Sequence, residues 1–349
     1  MASKQPYFQL TPRGFPQTLS IVVTTYNEQE ALPFLRQRLT AFLATLPCRA
    51  EILMVNDGSS DLSLKHLIEW SNADPRVRVL NLARNFGHQA AATAGLDHAT
   101  GEAVVLMDAD LQDPPEVIAQ MLDEYRKGYD VVYGRRTKRA GETAFKKATA
   151  WVFYRLMRIL IHPDLPSDVG DFRLVSRACL NALLSMRETH RFLRGMVAWV
   201  GFPQTAVDYT RDIRVAGETK YPISKMVALA WTAAVSFSPT PLRLSFGLGI
   251  LIAAIGMLQA VNAVIRSILG LHLVEGWSSI IVVNCLVGGS VLISIGVLGE
   301  YVGRIFESIK ERPLYIVASN INRPAESVST QLAALGDVLA VSKEVPVEK

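Results

Sequence analysis

Apolar positions along the first 134 residues switch repeatedly between two periods. Short β-rich runs fall at Ile21–Thr25, Ile52–Asn56, Val77–Asn81 and Ala103–Met107. Between them, helical spacing runs over Glu28–Leu46, Asp61–Ser71 and Gln89–His98. This βαβαβαβ order predicts a mainly parallel sheet covered by helices on both faces. Further along the pattern changes in kind. Leu244–Ile265 is 22 residues without a charge, and Gly276–Gly299 is 24 more. At 1.5 Å per helical residue, each is long enough for a hydrocarbon core of about 30 Å, so two membrane helices are expected. Two other stretches, Phe145–Ile161 and Ile223–Phe237, interleave Lys and Arg with Trp, Phe and Leu. They are expected to be amphipathic helices in the headgroup layer.

Composition agrees with a membrane-attached protein. Half of the 349 residues are hydrophobic, enough for one substantial core and something more. Lys225, Arg243, Arg304, Lys310 and Arg312 flank the two apolar runs, whereas the linker Arg266–Glu275 holds one firm positive charge. The excess of cations on the outer flanks is expected to place the large N-terminal region and both termini in the cytoplasm. Met1–Gln17 is polar and does not read as a signal peptide. A net charge of +4 gives no reason to invoke nucleic acid, and is compatible with an anionic membrane surface. Cys48, Cys179 and Cys285 have neither metal spacing nor a disulfide framework. The expected organisation is an N-terminal extension (1–18), a catalytic domain (19–222), an interfacial helix and linker (223–243), a two-helix hairpin (244–299), and a C-terminal segment (300–349). The part beyond Arg323 is expected to be flexible or weakly helical.

Three chemically loaded segments follow strand ends: Tyr26-Asn27-Glu28, Asn56–Asp61 and Asp108-Ala109-Asp110. Parallel strands share a direction, so all three collect at one edge of the sheet, where open α/β folds bind ligands. Asp108, Asp110 and Gln112 are hard oxygen donors suited to Mg²⁺ or Mn²⁺, with room left for a diphosphate; as a bare Asp-x-Asp they could equally be solvated turn residues. Asn56–Asp61 is either a plain strand-to-helix connection, with Gly58 in the turn, or a nucleotide contact through Asp57. There is no glycine fingerprint at the first βα turn and no phosphate loop ending in Lys-Ser/Thr, which disfavours a dehydrogenase and a P-loop NTPase. The one Gly-x-Gly, Gly247-Leu248-Gly249, lies inside the first apolar run.

Thr24-Thr25-Tyr26-Asn27-Glu28, Asn56–Asp61, Arg84–Gly87, Asp108–Glu116 and Gly217–Tyr221 occur in that order. Together they resemble the polyprenyl-phosphate glycosyltransferases of glycosyltransferase family 2, the dolichol-phosphate-mannose-synthase-like group, over about Leu19–Arg312. The two C-terminal spans make the chain look most like the bacterial bactoprenol-phosphate glucosyltransferases. The resemblance implies a GT-A-type α/β fold and inverting transfer of a sugar, with glucose from UDP-glucose the leading choice, to a membrane polyprenyl phosphate. It implies Thr24, Tyr26, Glu28, Val55, Asp57 and Ala109 around the nucleotide, and Asp108, Asp110 and Gln112 on the metal. Arg135, Arg136, Arg214 and Lys220 would meet phosphate on the acceptor side. Many relatives have Pro at the position of Thr24 and Asp at that of Asn56. Asp171 matches an acceptor-side acid, and could take a proton from the acceptor phosphate, orient the acceptor, or simply pair with Arg173. The partners implied are the nucleotide-sugar donor, the polyprenyl phosphate, the bilayer and, through the membrane helices, further copies of the chain. Two rival functions are a processive polysaccharide synthase, whose Gln-x-x-Arg-Trp motif is missing here, and a non-catalytic lipid carrier or assembly subunit.

Overall fold

The computed structural model describes residues 9–136, 169–212, 240–269 and 276–322. Four strands answer to the four apolar runs: β1 (Thr18–Thr25), β2 (Arg49–Asn56), β3 (Val77–Leu82) and β4 (Ala103–Asp108). They pair in parallel, in the spatial order β4-β1-β2-β3. Their side chains alternate between two cores, which is why each strand reads as an unbroken apolar run. Ile21, Val23, Ile52, Met54, Val105 and Met107 pack in one core, beneath α1 (Leu32–Leu43), α2 (Ser63–Ala73) and α4 (Val117–Arg126). Val22, Leu53, Val55, Val104 and Leu106 pack in the other, beneath α3 (His88–His98), α5 (Arg177–Ser185) and α6 (Leu193–Trp199). The close approach of α3 to the sheet depends on Gly95, where a Cβ would fall on the Val22 side chain.

The other half of the sheet is mixed. β5 (Val131–Arg136), β6 (Val169–Ser176) and β7 (Gln204–Tyr209) extend it beyond β4. β6 runs antiparallel to both β4 and β5, while β7 runs parallel to β5. The far edge is covered by β8 (Val317–Ile321), antiparallel to β3. This strand comes from beyond the apolar helices, so the sheet takes in residues on both sides of them.

The two long apolar runs form α7 (Thr240–Ile268) and α8 (Trp277–Ile309). Both are long and apolar enough to cross a membrane, through Leu242–Gln259 and Leu286–Ile309, and neither window is buried in the protein. Phe246 and Leu292 are each 71% exposed, a state that water would penalise and lipid would not. Besides β8, side-chain contacts tie α8 and its sequel to the sheet domain. Glu307 lies 2.7 Å from His190, and the Tyr315 hydroxyl donates to Asp97 at 2.8 Å. The expected interfacial stretches Phe145–Ile161 and Ile223–Phe237, and the tail after Arg323, lie outside the described residues.

Candidate active site

From β1 the chain steps outward to β2 and β3 on one side and to β4 on the other, so the strand order reverses between β1 and β4. A crevice opens at such a reversal, beyond the carboxyl ends of the strands. Thr24 and Asp108 are register partners across it, and the Thr24 hydroxyl donates to Asp108 Oδ1 at 2.9 Å. The Ala109 amide continues the ladder to Thr24 O at 3.2 Å. Leu111 then takes a left-handed conformation (φ 57°), and Asp110 Oδ1 accepts the Gln112 amide at 3.1 Å. The turn thus places the Asp108 carboxylate, 38% exposed, just before a nearly buried Asp110.

On the β2 side, the loops after β1 and β2 are laced together. Asn27 N donates to Ser59 Oγ at 3.0 Å, Ser60 N to Asn27 Oδ1 at 2.9 Å, and Gln29 N to Asp61 Oδ2 at 3.2 Å. Asp61 Oδ1 also accepts the Ser63 amide at the start of α2. Gly58 has a positive φ, and a Cβ there would collide with the Arg84 backbone, so this turn packs directly on the loop after β3. Asp57 fixes that loop: its two oxygens accept the Phe86 and Gly87 amides at 2.8 and 3.0 Å. Burial pushes the Asp57 carboxyl up, against the opposing pull of those amides and of His88 and Arg84.

His88, the first residue of α3, stands between two carboxylates. Its Nδ1 is 3.6 Å from Asp108 Oδ1, and its Nε2 is 3.1 Å from Asp171 Oδ2. Desolvation opposes charge on the ring, but Asp108 and Asp171 outweigh it and raise the imidazole to about 9. Asp171, in the middle of buried β6, is gripped further by Arg194 from α6, through Nε at 2.8 Å and Nη2 at 3.0 Å. Arg173 lies 3.6 Å away, lowered by burial to about 10. Burial penalises the Asp171 charge, yet Arg194 and His88 hold its carboxyl well below the usual range.

A third cluster surrounds Asp113, just past the Asp108–Gln112 turn. The Tyr209 hydroxyl donates to it in a short hydrogen bond, and Arg136 and Arg211 approach at 3.5 and 3.8 Å. Burial raises the Asp113 carboxyl, opposed by Arg136, Tyr209 and Arg211.

The structure therefore sorts the expected residues. Thr24, Asp108, Asp110 and Gln112 come together at the strand reversal; Tyr26 is exposed and Glu28 half-buried on the loop after β1. Val55 and Ala109 are core residues, with side chains buried on opposite faces of the sheet, so only their backbones can border a ligand. Asp57 shapes a loop through both oxygens and is only 3% exposed, which makes it a scaffold first. Asp171 is a poor proton acceptor, because three cationic side chains stabilise its ionised form. Arg135 forks onto Asp208 across the β5–β7 ladder at the outer edge of the sheet, whereas Arg136 turns inward to Asp113. Arg214 and Lys220 lie outside the described residues. His88, Asp113, Arg194 and Tyr209 also belong to these clusters, though no expectation from the sequence singles them out. His88 immediately follows the Arg84–Gly87 motif and Asp113 sits inside Asp108–Glu116, so both could have been found there; Arg194 lies in no motif.

Among the described residues, no group of three His, Cys, Asp or Glu side chains forms a self-sufficient metal cluster. The donor set fits a different arrangement. Asp108 and Asp110 offer two anionic oxygen ligands at the sheet edge, which suits a hard cation that completes its shell with diphosphate oxygens and water.

Residues 20–184 match Glycosyl transferase family 2. A protein of Bacillus subtilis (strain 168) described as an uncharacterized glycosyltransferase is 48% identical over 298 residues, covering 85% of this chain and 92% of its own. The bactoprenol glucosyl transferase of Shigella phage SfX is 38% identical over 301 residues, covering 86% of this chain and 99% of its own. Among solved structures, a mannosyltransferase from Pyrobaculum calidifontis in complex with GDP-Man and Mn²⁺ aligns with TM-score 0.40 at 17% identity, covering 84% of this chain and 91% of that one.

Proposed function

This chain belongs to glycosyltransferase family 2, among the polyprenyl-phosphate glycosyltransferases, and from that premise we propose that it moves glucose from UDP-glucose to a membrane polyprenyl phosphate on the cytoplasmic face, using Mg²⁺ or Mn²⁺. One observation carries the reading: Asp108 and Thr24 meet at the reversal of strand order, with Asp110 in the turn that follows. The name of the phage relative supports glucose as the sugar. The two unburied apolar helices support a lipid-borne acceptor.

Transfer breaks the bond between sugar C1 and the diphosphate oxygen, and the electron pair leaves on that oxygen. An oxygen of the lipid phosphate forms the new bond from the opposite face, inverting the configuration. A divalent cation would neutralise the charge growing on the leaving diphosphate. Asp108 and Asp110 would hold that cation, with Gln112 beside them, and the Thr24 hydroxyl keeps Asp108 in one orientation. Tyr26 and Glu28 border the nucleotide, on the loop after β1 that Asp61 holds through Gln29 N, while Asp57 holds the neighbouring loop after β3. The acceptor phosphate has a second pKa of about 6, so it is already largely dianionic near neutral pH and needs no strong base. Asp171 accordingly positions Arg194 and His88 and takes no proton from the acceptor. Arg136, together with Arg214 and Lys220, would meet the acceptor phosphate. The expected organisation stands in this reading, with β8 added to the catalytic domain from the C-terminal segment.

The test is incubation of the purified protein with radiolabelled nucleotide sugars and short polyprenyl phosphates. Label extractable into organic solvent, greatest with UDP-glucose, is the expected result. Insoluble polymer would point to a polysaccharide synthase, and absence of turnover to a carrier; either would overturn the proposal.

A further inference from the structure

Arg38 lies in the middle of α1, on the outer surface, and no motif of the site includes it. Its guanidinium nevertheless joins three segments. Nε and Nη2 fork onto the two oxygens of Glu116 at 2.9 and 2.8 Å, and Nη1 donates to Asp212 at 2.8 Å. Glu116 stands just before α4, at the end of the metal-loop sequence, and Asp212 stands three residues beyond β7. The same two segments also touch elsewhere. The Asp212 amide donates to Gln112 O at 3.0 Å, and Tyr209 donates to Asp113.

We propose that Arg38 is a positioning residue for sugar transfer, holding the exit of β7 against the metal loop so that Arg136 and Arg211 stay gathered beside it. The inference rests on the reading of this edge as a transferase site. The cations are supplied by β5 and the β7 exit, while the metal carboxylates follow β4. These strands are not neighbours: β6 separates β4 from β5. The distance between metal and cations is therefore not set by a shared ladder, and the contacts across the turn must fix it. A planar fork engaging two carboxylates sets that distance in a way a lysine cannot copy. An ordinary exposed ion pair, by contrast, contributes almost nothing measurable.

The experiment compares wild type with Arg38→Ala, Arg38→Lys and Asp212→Asn, in the full chain in detergent. Three quantities are read: UDP affinity by calorimetry, the thermal midpoint, and kcat and KM for a short polyprenyl phosphate with UDP-glucose. In Arg38→Ala the expected result is a fall in kcat/KM for the acceptor of about 10- to 100-fold, the scale of a misplacement near 1 Å. UDP affinity should stay within about twofold and the midpoint nearly constant, since the contacts are peripheral to the nucleotide loops. Arg38→Lys should recover only part of the loss, and Asp212→Asn should show a smaller one. Unchanged acceptor kinetics in Arg38→Ala would overturn the proposal. So would a parallel fall in UDP affinity, midpoint and turnover, which would mark a purely structural role. If the wild type itself transferred no sugar, the transferase reading would fail, and the proposal with it; an active wild type with unaffected variants sinks the proposal alone.

Discussion

Asp171 and Glu51 show how a single carboxylate's surroundings decide its use. Asp171 offered three roles from its sequence, proton acceptor, orienter of the acceptor or ion-pair partner, and the cations around it favour its ionised form. Those cations are supplied by α3 and α6 as well as β6, so no local reading of Val169–Arg173 could reveal them. Asp171→Asn leaves the buried Arg173, and the partly exposed His88 and Arg194, without their counter-charge, which should destabilise the protein by about 3 kcal/mol in denaturant titration. Whatever activity survives should retain the acidic limb of its pH profile. A fully stable variant whose acidic limb vanished would instead identify Asp171 as the base. Glu51, at the opposite end of β2, serves the fold alone. Burial disfavours its charge, but Ser20, the Thr100 amide and hydroxyl, and Arg78 together lower its pKa. A lowered folded pKa contributes stability above the unfolded value of about 4.3, lost as pH falls through the lower folded value. Urea midpoints measured from pH 7 to pH 3 should therefore drop less steeply in Glu51→Gln than in wild type. Equal slopes would show that Glu51 titrates alike folded and unfolded.

Strands β1 to β4 were legible because each is buried on both faces and reads as an apolar run ending in turn residues. The same pattern located Asp108 and Asp57 at strand ends. β6 escaped because Asp171 and Arg173 interrupt its apolar positions, although all eight of its residues are buried. β8 escaped for another reason: Val317-Ala-Ser-Asn-Ile321 is short and polar, and its partner β3 lies more than 200 residues earlier. Pairing across that distance leaves no local trace. β8 closes an edge that would otherwise present unpaired backbone groups. Truncation after Leu314 removes both β8 and the Tyr315 hydroxyl that Asp97 accepts. The shortened protein should lose amide protection in β3 by hydrogen exchange and aggregate more readily. Unaltered protection in Val77–Leu82 would show that β8 is dispensable.

At the scale of the whole molecule, the apolar helices and the sheet edge explain each other. A polyprenyl chain leaves lipid at a cost of about 0.8 kcal/mol per exposed CH₂, so a site acting on its phosphate must sit at the membrane surface. Here the second apolar helix runs almost directly into Tyr315 and β8, while Glu307 near its end lies against His190. The helices themselves were plain in the sequence, since 18 or more uncharged apolar residues have few other uses. Their coupling to the sheet was not, because it depends on single side chains far apart in the chain. Whether this edge transfers sugar to a lipid through a metal held by Asp108 and Asp110 can be read from one comparison. Radiolabel from UDP-glucose is followed into the lipid fraction for wild type and Asp110→Asn, with and without excess chelator, after matching folding by circular dichroism. The expected result is lipid-extractable label from untreated wild type alone, with background levels in the variant and in both chelated samples. Full transfer by a folded Asp110→Asn protein, or by wild type in chelator, would contradict the account.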